Sequence, residues 1–192
     1  MPSLATIALL ALPLAVAGAP ANTKRAPTGP FGLYAYGPGI GGAAVFSSGD
    51  FAFLGNPKLL DDPEAATVSF TTGTNNALLG TPTAPADLSS SAARPSWTNA
   101  TFFIPGRGSA SHQVGFAPAP GPAADVDASG FVFYGQVALH QSPDDPQLRT
   151  LWYAVPTATD GVWSLNWNST ADARDGKVLV TVKATPPAVP ED

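Results

Sequence analysis

Apolar residues along this chain recur at every second position in short runs, each closed by Gly, Pro, Asn, Asp or Ser. A period of two is the pattern of a strand with one face in a core and the other toward water. Such runs predict strands near Phe31–Tyr36, Ala43–Phe46, Phe51–Leu54, Thr67–Thr72, Trp97–Ile104, His112–Phe116, Phe131–Leu139, Leu148–Val155, Val162–Asn168 and Lys177–Lys183. About ten short strands with turn residues between them point to an all-β, antiparallel β-sandwich of jelly-roll or immunoglobulin-like kind. Helices have little room, because 19 Gly and 21 Pro interrupt every long window. One helical turn each is expected in Pro57–Ala66 and in Ser142–Gln147, the latter capped by Ser142 with Pro143 in its first position. Ser47-Ser48-Gly49-Asp50 and Ala171–Gly176 read as hairpin turns, so the last three strands are expected to form a meander.

Alternation also assigns faces. Trp163, Leu165 and Trp167 share one parity; Ser164, Asn166 and Asn168 share the other. Asn168-Ser169-Thr170 is an N-glycosylation acceptor, as is Asn99-Ala100-Thr101, and a glycan needs solvent. Both arguments send the tryptophans inward and Asn168 outward. Around Asn99 they send Ala100, Phe102 and Ile104 inward and leave Trp97 on the outer face. Phe131, Phe133, Val137 and Leu139 are expected on one face of a single strand, and Val178, Val180 and Val182 on one face of the last. Leu79–Pro95 and Ala117–Asp125, rich in Pro, Ala, Ser and Gly, read as mobile loops.

The ends of the chain change the picture from fold to compartment. Leu4–Ala17 is apolar, short for a membrane span, and ends in Ala15-Val16-Ala17, so residues 1–17 read as a signal peptide. Lys24-Arg25 is a dibasic pair of the kind cut in the secretory pathway, which makes residues 18–25 a short pro-segment. Residues 26–184 then form one β-sandwich domain and 185–192 a disordered tail. The formal charge is −5, and removing residues 1–25 takes away two basic and no acidic groups. An acidic chain without basic clusters argues against nucleic acid as a partner. The carboxyl end is polar and Pro-rich, so no membrane anchor is expected there. Cysteine is absent, which excludes disulfides, thiol catalysis and zinc thiolate sites.

Candidate chemistry is sparse. Asp125-Val126-Asp127-Ala128-Ser129-Gly130 resembles the opening of a calcium loop, with side-chain oxygens of Asp125, Asp127 and Ser129 at alternate positions. Its twelfth position is Gln136, not a bidentate Glu, and strand follows where a helix belongs. His112 and His140 are the only histidines and read as ordinary hydrogen-bonded side chains. Ser109 and Ser111 lie in a Gly/Ser loop and not in a nucleophile elbow. No catalytic constellation and no cofactor are expected. Tyr34, Tyr36, Trp97 and Tyr153 are the candidate ligand-binding residues, since flat aromatic faces stack on sugar rings.

The opening Phe31-Gly32-Leu33-Tyr34-Ala35-Tyr36-Gly37, with Gly39-Ile40-Gly41-Gly42 after it, resembles that of small cysteine-free secreted β-sandwich proteins of filamentous fungi. The resemblance extends to the dibasic site and to strands such as Trp97–Phe103 and Leu151–Pro156. It implies an extracellular or wall-associated location and brings no catalytic residue. The sequence thus predicts a secreted glycoprotein with cell-wall polysaccharide as its expected partner. The alternatives are a secreted hydrolase with an Asp-based site and an effector recognised by a host.

Overall fold

Antiparallel pairing accounts for every strand contact in the computed structural model, which describes residues 27–83, 95–118, 121–122 and 124–188. The expected signal peptide, the pro-segment with Lys24 and Arg25, and parts of both Pro-rich loops lie outside the described residues. In chain order the strands are β1 (Tyr34–Gly37), β2 (Ile40–Ser48), β3 (Phe51–Leu54), β4 (Ala66–Thr72), β5 (Leu78–Pro82), β6 (Ala100–Pro105) and β7 (Gly115–Ala117). They continue with β8 (Val126–Asp127), β9 (Phe131–Tyr134), β10 (Val137–Ser142), β11 (Asp145–Arg149), β12 (Tyr153–Pro156), β13 (Trp163–Asn166), β14 (Val178–Leu179) and β15 (Thr181–Lys183). The all-β class is as the alternation predicts, with more strands than the ten expected. Single 3-10 turns occupy Pro57–Leu59 and Thr74–Asn76.

The strands do not divide into two open sheets. Six of them close on themselves in the order β2-β4-β5-β6-β7-β3, with β3 pairing back to β2. Strand β2 is long enough to carry β1 and then β4 along one edge while β3 pairs its other edge. Its first half pairs with β1 (Ala44 opposite Tyr34) and its second half with β3 (Val45 opposite Leu54). From β1 the sheet runs on through β15 and β10, which carries β9 and β11. From β3 it runs through β13 and β12 to β14. The expected carboxyl-terminal meander is therefore absent: β14 pairs β12 on the side away from β13, and β15 joins β1 and β10.

One apolar core links the barrel to the flanking strands. Phe102 on β6 meets Phe70 and Phe116 within the barrel, and Phe131 and Trp152 outside it. Burying each such side chain contributes about 1.5–3 kcal/mol. Ala100, Phe102 and Ile104 all point inward, as the parity of the Asn99 sequon predicts.

Several segments depart from the sequence reading for definite reasons. The start of the expected mobile loop at Leu79 instead belongs to β5, a barrel strand with β4 and β6 on either side. Its Gly80 looks like a loop signal but marks close packing: a Cβ there would stand 2.8 Å from Val68 Cγ1 and 3.1 Å from the Phe116 ring. Phe131–Leu139 is a hairpin and not one strand. Gly135 takes φ +60 in a two-residue turn, and Tyr134 faces Val137 across it. Cross-strand partners share a face, so Ala138 and His140 join Phe131 and Phe133 inside while Val137 and Leu139 are only half-buried. The expected helical turn at Ser142–Gln147 is a second tight hairpin, with Ser142 opposite Asp145. On β13 the parity argument fails for Asn166, which is buried because a polar loop covers that face.

Candidate functional site

The strands outside the barrel, with the end of β6, frame a groove. Beyond Pro105 the chain turns through Gly106, whose N–H donates to Asp125 O at 2.9 Å. A Cβ at Gly106 would sit 2.7 Å from that oxygen, so the close approach requires glycine. It holds β8 against the end of β6, with Asp127 opposite Ile104, and so brings Arg107 and Asp127 onto one wall. The β10–β11 hairpin supplies the facing wall with His140, Ser142, Asp144, Asp145 and Arg149. Trp167 and Leu151 lie beneath, and Asn168 and Thr170 form part of the margin. The groove has two lobes that share Gly106, Arg107, Asp127 and Ser142. The outer lobe encloses about 460 Å³ and the inner about 130 Å³.

His140 is the buried polar centre of this region, 4% exposed. Its Nε2 lies 3.0 Å from Ser129 O, and because a carbonyl only accepts, Nε2 carries the proton and donates. Asp127 Oδ2 stands 4.0 Å from the same nitrogen. The ring meets Phe131 and Trp167 edge-on at 5.5 and 5.8 Å. Burial holds its pKa below the usual value, against the opposing pull of Asp127 and the Ser129 carbonyl. Gly130 secures the arrangement, since a Cβ there would meet Gln141 O at 2.3 Å.

Charge in the inner lobe centres on Asp145. Its carboxylate accepts from the Gln147 N–H at 3.0 Å and from Arg149 Nε and Nη2 at 3.1 and 2.6 Å, and Arg107 Nη2 lies 3.9 Å away. The Gln147 N–H first, then the Arg149 guanidinium, hold its pKa below the carboxylate range. Asp145 is thus an ionised acceptor at neutral pH and not a proton donor. The arrangement offers a ligand donors from Arg149, held by Asp145, and from the exposed Arg107, with acceptors from Asp127 and Asp145.

A second polar cluster joins β12 and β13 to the loop that follows them. Tyr153 OH donates to Asp172 Oδ2; Arg174 Nε donates to the same oxygen at 2.8 Å, and its Nη2 to Asn166 Oδ1 at 3.3 Å. Lys177 Nζ donates to Ser169 O at 2.7 Å and to Asp172 O. Burial and the Asp172 carboxylate push the Tyr153 hydroxyl up, and the Arg174 guanidinium holds Asp172 well below its ordinary range. These bonds fasten residues 169–177 onto β12 and β13, and every buried side-chain nitrogen and oxygen among them has a partner.

The aromatic residues singled out in the sequence do not form one platform. Tyr153 is wholly buried, because β12 is covered on both faces. Trp97 stacks on Phe116 at 6.1 Å and donates Nε1 to Glu64 O at 2.9 Å, so it closes the barrel margin and is not an outward-facing ring. Tyr34 and Tyr36 are half-buried on β1; Tyr36 donates to Thr185 O at 2.8 Å and has Lys183 Nζ 5.1 Å from its ring centre. Asp125–Ser129 does not wind around a cation: Val126 and Asp127 are extended and paired with β6. Among the described residues no cluster of three or more His, Cys, Asp or Glu is placed to share a metal ion.

Asn99 is exposed where β6 begins, with Thr81 Oγ1 3.5 Å from its Oδ1. Asn168 is half-buried at the groove. Arg107, Asp145, Arg149 and Trp167 were not legible as a site, and His140 reads in sequence as an ordinary histidine. The one local signal was Asp145 four residues before Arg149, which a helix and this hairpin both bring together.

The fold and groove define an all-β protein built on a closed six-strand antiparallel barrel, with a polar groove on the strands outside it. No protein-family model, curated protein or solved structure matches the chain. Among the described residues no helix is long and apolar enough to cross a membrane.

Proposed function

We propose that this chain acts outside the cell or in its wall as a secreted glycoprotein, N-glycosylated at Asn99 and Asn168, that binds saccharide without transforming it. The compartment rests on the signal-peptide pattern of residues 1–17 and the dibasic pair Lys24-Arg25. The ligand class rests on one observation: a groove in which Arg107, Arg149, Asp127 and Asp145 converge, with Leu151 and the edge of the buried Trp167 in its lining. Sugar hydroxyls both donate and accept, so they suit alternating guanidinium and carboxylate partners. The binding residues are therefore those of the groove and not Tyr34, Tyr36, Trp97 and Tyr153. Retention on chitin, glucan and mannan tests it. The wild-type chain is retained on at least one. Arg149→Ala, losing charge-assisted hydrogen bonds of ~1.5–3 kcal/mol, is retained about tenfold or more weakly. A chain that passes through all three matrices both with and without its Asn168 glycan overturns the reading.

Asp127 and Asp145 lining one groove favour a second reading, a glycoside hydrolase with two carboxyls across its cleft. It requires turnover of a polysaccharide that disappears in Asp127→Asn. Asp145, ionised and held by Arg149, can serve there only as nucleophile or base, so this reading requires Asp127 to supply the proton.

A further inference from the structure

We propose that the N-glycan carried by Asn168 lies along the groove and covers it, so that the protein's own sugar occupies the site assigned above to a free one. The inference rests on that reading of the groove for its chemistry, and on the position of Asn168 for its geometry. Asn168 shares the inner lobe with Arg149, Leu151, Trp167 and Thr170. A glycan joined there starts at the groove, while one joined to the exposed Asn99 starts from the edge of the barrel, beside Thr81. The two sequons are thus unlike in place, although alike in sequence.

Local backbone presents Asn168 for modification. It takes φ +68, and Ala171 N–H donates to its carbonyl at 3.0 Å, so Asn168–Ala171 is a turn at the groove margin. Thr170 Oγ1 donates to Asn168 Oδ1 at 3.1 Å. That contact turns the side-chain carbonyl toward the sequon threonine, and among the described residues Nδ2 donates to no acceptor. In the modification Nδ2 loses one hydrogen and bonds to the anomeric carbon of a lipid-linked oligosaccharide. The lipid diphosphate leaves and the proton goes with it. The reducing-end sugar then stands beside the Arg149 guanidinium and the Trp167 and Leu151 side chains.

Tethering decides the competition. A short flexible link gives an effective concentration on the order of millimolar, which exceeds what most free saccharides reach around a weak polar groove. A cover of this kind falls away only when the glycan is trimmed or absent.

The experiment uses the secreted full chain from a glycosylating host. It compares wild type, Thr170→Ala and Asn168→Asp, which both lose the sequon, and Asn99→Gln as the control on the other glycan. Asn168→Asp keeps a residue that tolerates positive φ, so misfolding of one variant leaves the other to decide. Glycopeptide mass spectrometry is expected to find Asn168 occupied; a bare Asn168 overturns the proposal. Nuclear Overhauser contacts are expected between the first sugar and Leu151 methyl or Trp167 indole protons; a glycan without them overturns it. Soluble chitin, glucan or mannan oligosaccharides are expected to bind the Thr170→Ala and Asn168→Asp chains about tenfold or more tightly than wild type, with Asn99→Gln unchanged. Measurable and equal affinity across all four chains overturns the cover. Glycan contacts in the groove with no oligosaccharide bound by any form uphold the cover and overturn the ligand reading instead.

Discussion

The barrel and the strands outside it bury different things. Among the described residues the barrel has Ser47 as its buried polar residue, and its interior is Phe70, Phe102, Phe116 and branched aliphatics. His140, Asn166 and Asp172, the other buried polar residues, all lie on the flanking strands or their loops. A buried polar group costs stability unless it is hydrogen-bonded, so a chain that holds these three in one half carries constraints there beyond keeping its fold. The closed barrel needs only shape. The open half needs shape and a satisfied polar network, and the groove forms where that network meets solvent.

Deleting an aromatic at the junction is the severest way to break this contrast. Phe102→Ala removes contacts to both halves and is expected to cost ~3–5 kcal/mol, read as a lowered denaturant midpoint, with fluorescence and far-UV signals still falling together. Next comes the network in the open half. Tyr153→Phe leaves the ring in place and removes one hydrogen bond to Asp172; a loss of ~1–3 kcal/mol is expected, with faster hydrogen exchange confined to residues 169–177. Uniform loss across the barrel amides would show that the two halves are not distinct in this respect.

The pH dependence sharpens the comparison further. His140 is held below its ordinary 6.5, so the unfolded chain takes up a proton first as acid is added. Its stabilising contribution is present above that pH and is lost as pH falls from about 6.5 toward the lower folded value. Unfolding midpoints between pH 7 and 5 are expected to decline in wild type and to decline less in His140→Gln. Tyr153 acts in the opposite range: its hydroxyl is raised above 10, so the stability it lends falls as pH rises past that value. Tyr153→Phe is expected to flatten the alkaline limb. The smallest effect belongs to the groove surface. Arg149 is half-exposed and paired with Asp145 and Gln147 of its own strand, so Arg149→Ala is expected to alter stability by less than ~0.5 kcal/mol, while saccharide retention falls as stated above.

Much of the strand content was legible because alternation is local. Phe51–Leu54 has the predicted bounds, and β4 begins one residue earlier than expected. The errors share a cause. Gly80 and Gly135 look alike in sequence, yet one permits close packing inside a strand and the other reverses the chain. Reading the second as strand interior shifted the parity of everything after it, which is why Val137 and Leu139 were placed inside and Ala138 and His140 were not. Tyr153 and Asn166 failed differently. Their parity is opposite to the core, but residues 169–177 fold over that face and bury it.

The sequence by itself determined an antiparallel all-β chain without thiols, and the inward faces of segments such as Ala100–Ile104, because a period of two ties each side chain to its neighbours. Only the tertiary structure decided that β2 closes a barrel, that a loop covers the outer face of β12, and that residues near positions 107, 127, 145 and 168 share one groove. Pairing is chosen by edges that meet across long separations in the chain, and no local pattern records which edge a strand will find.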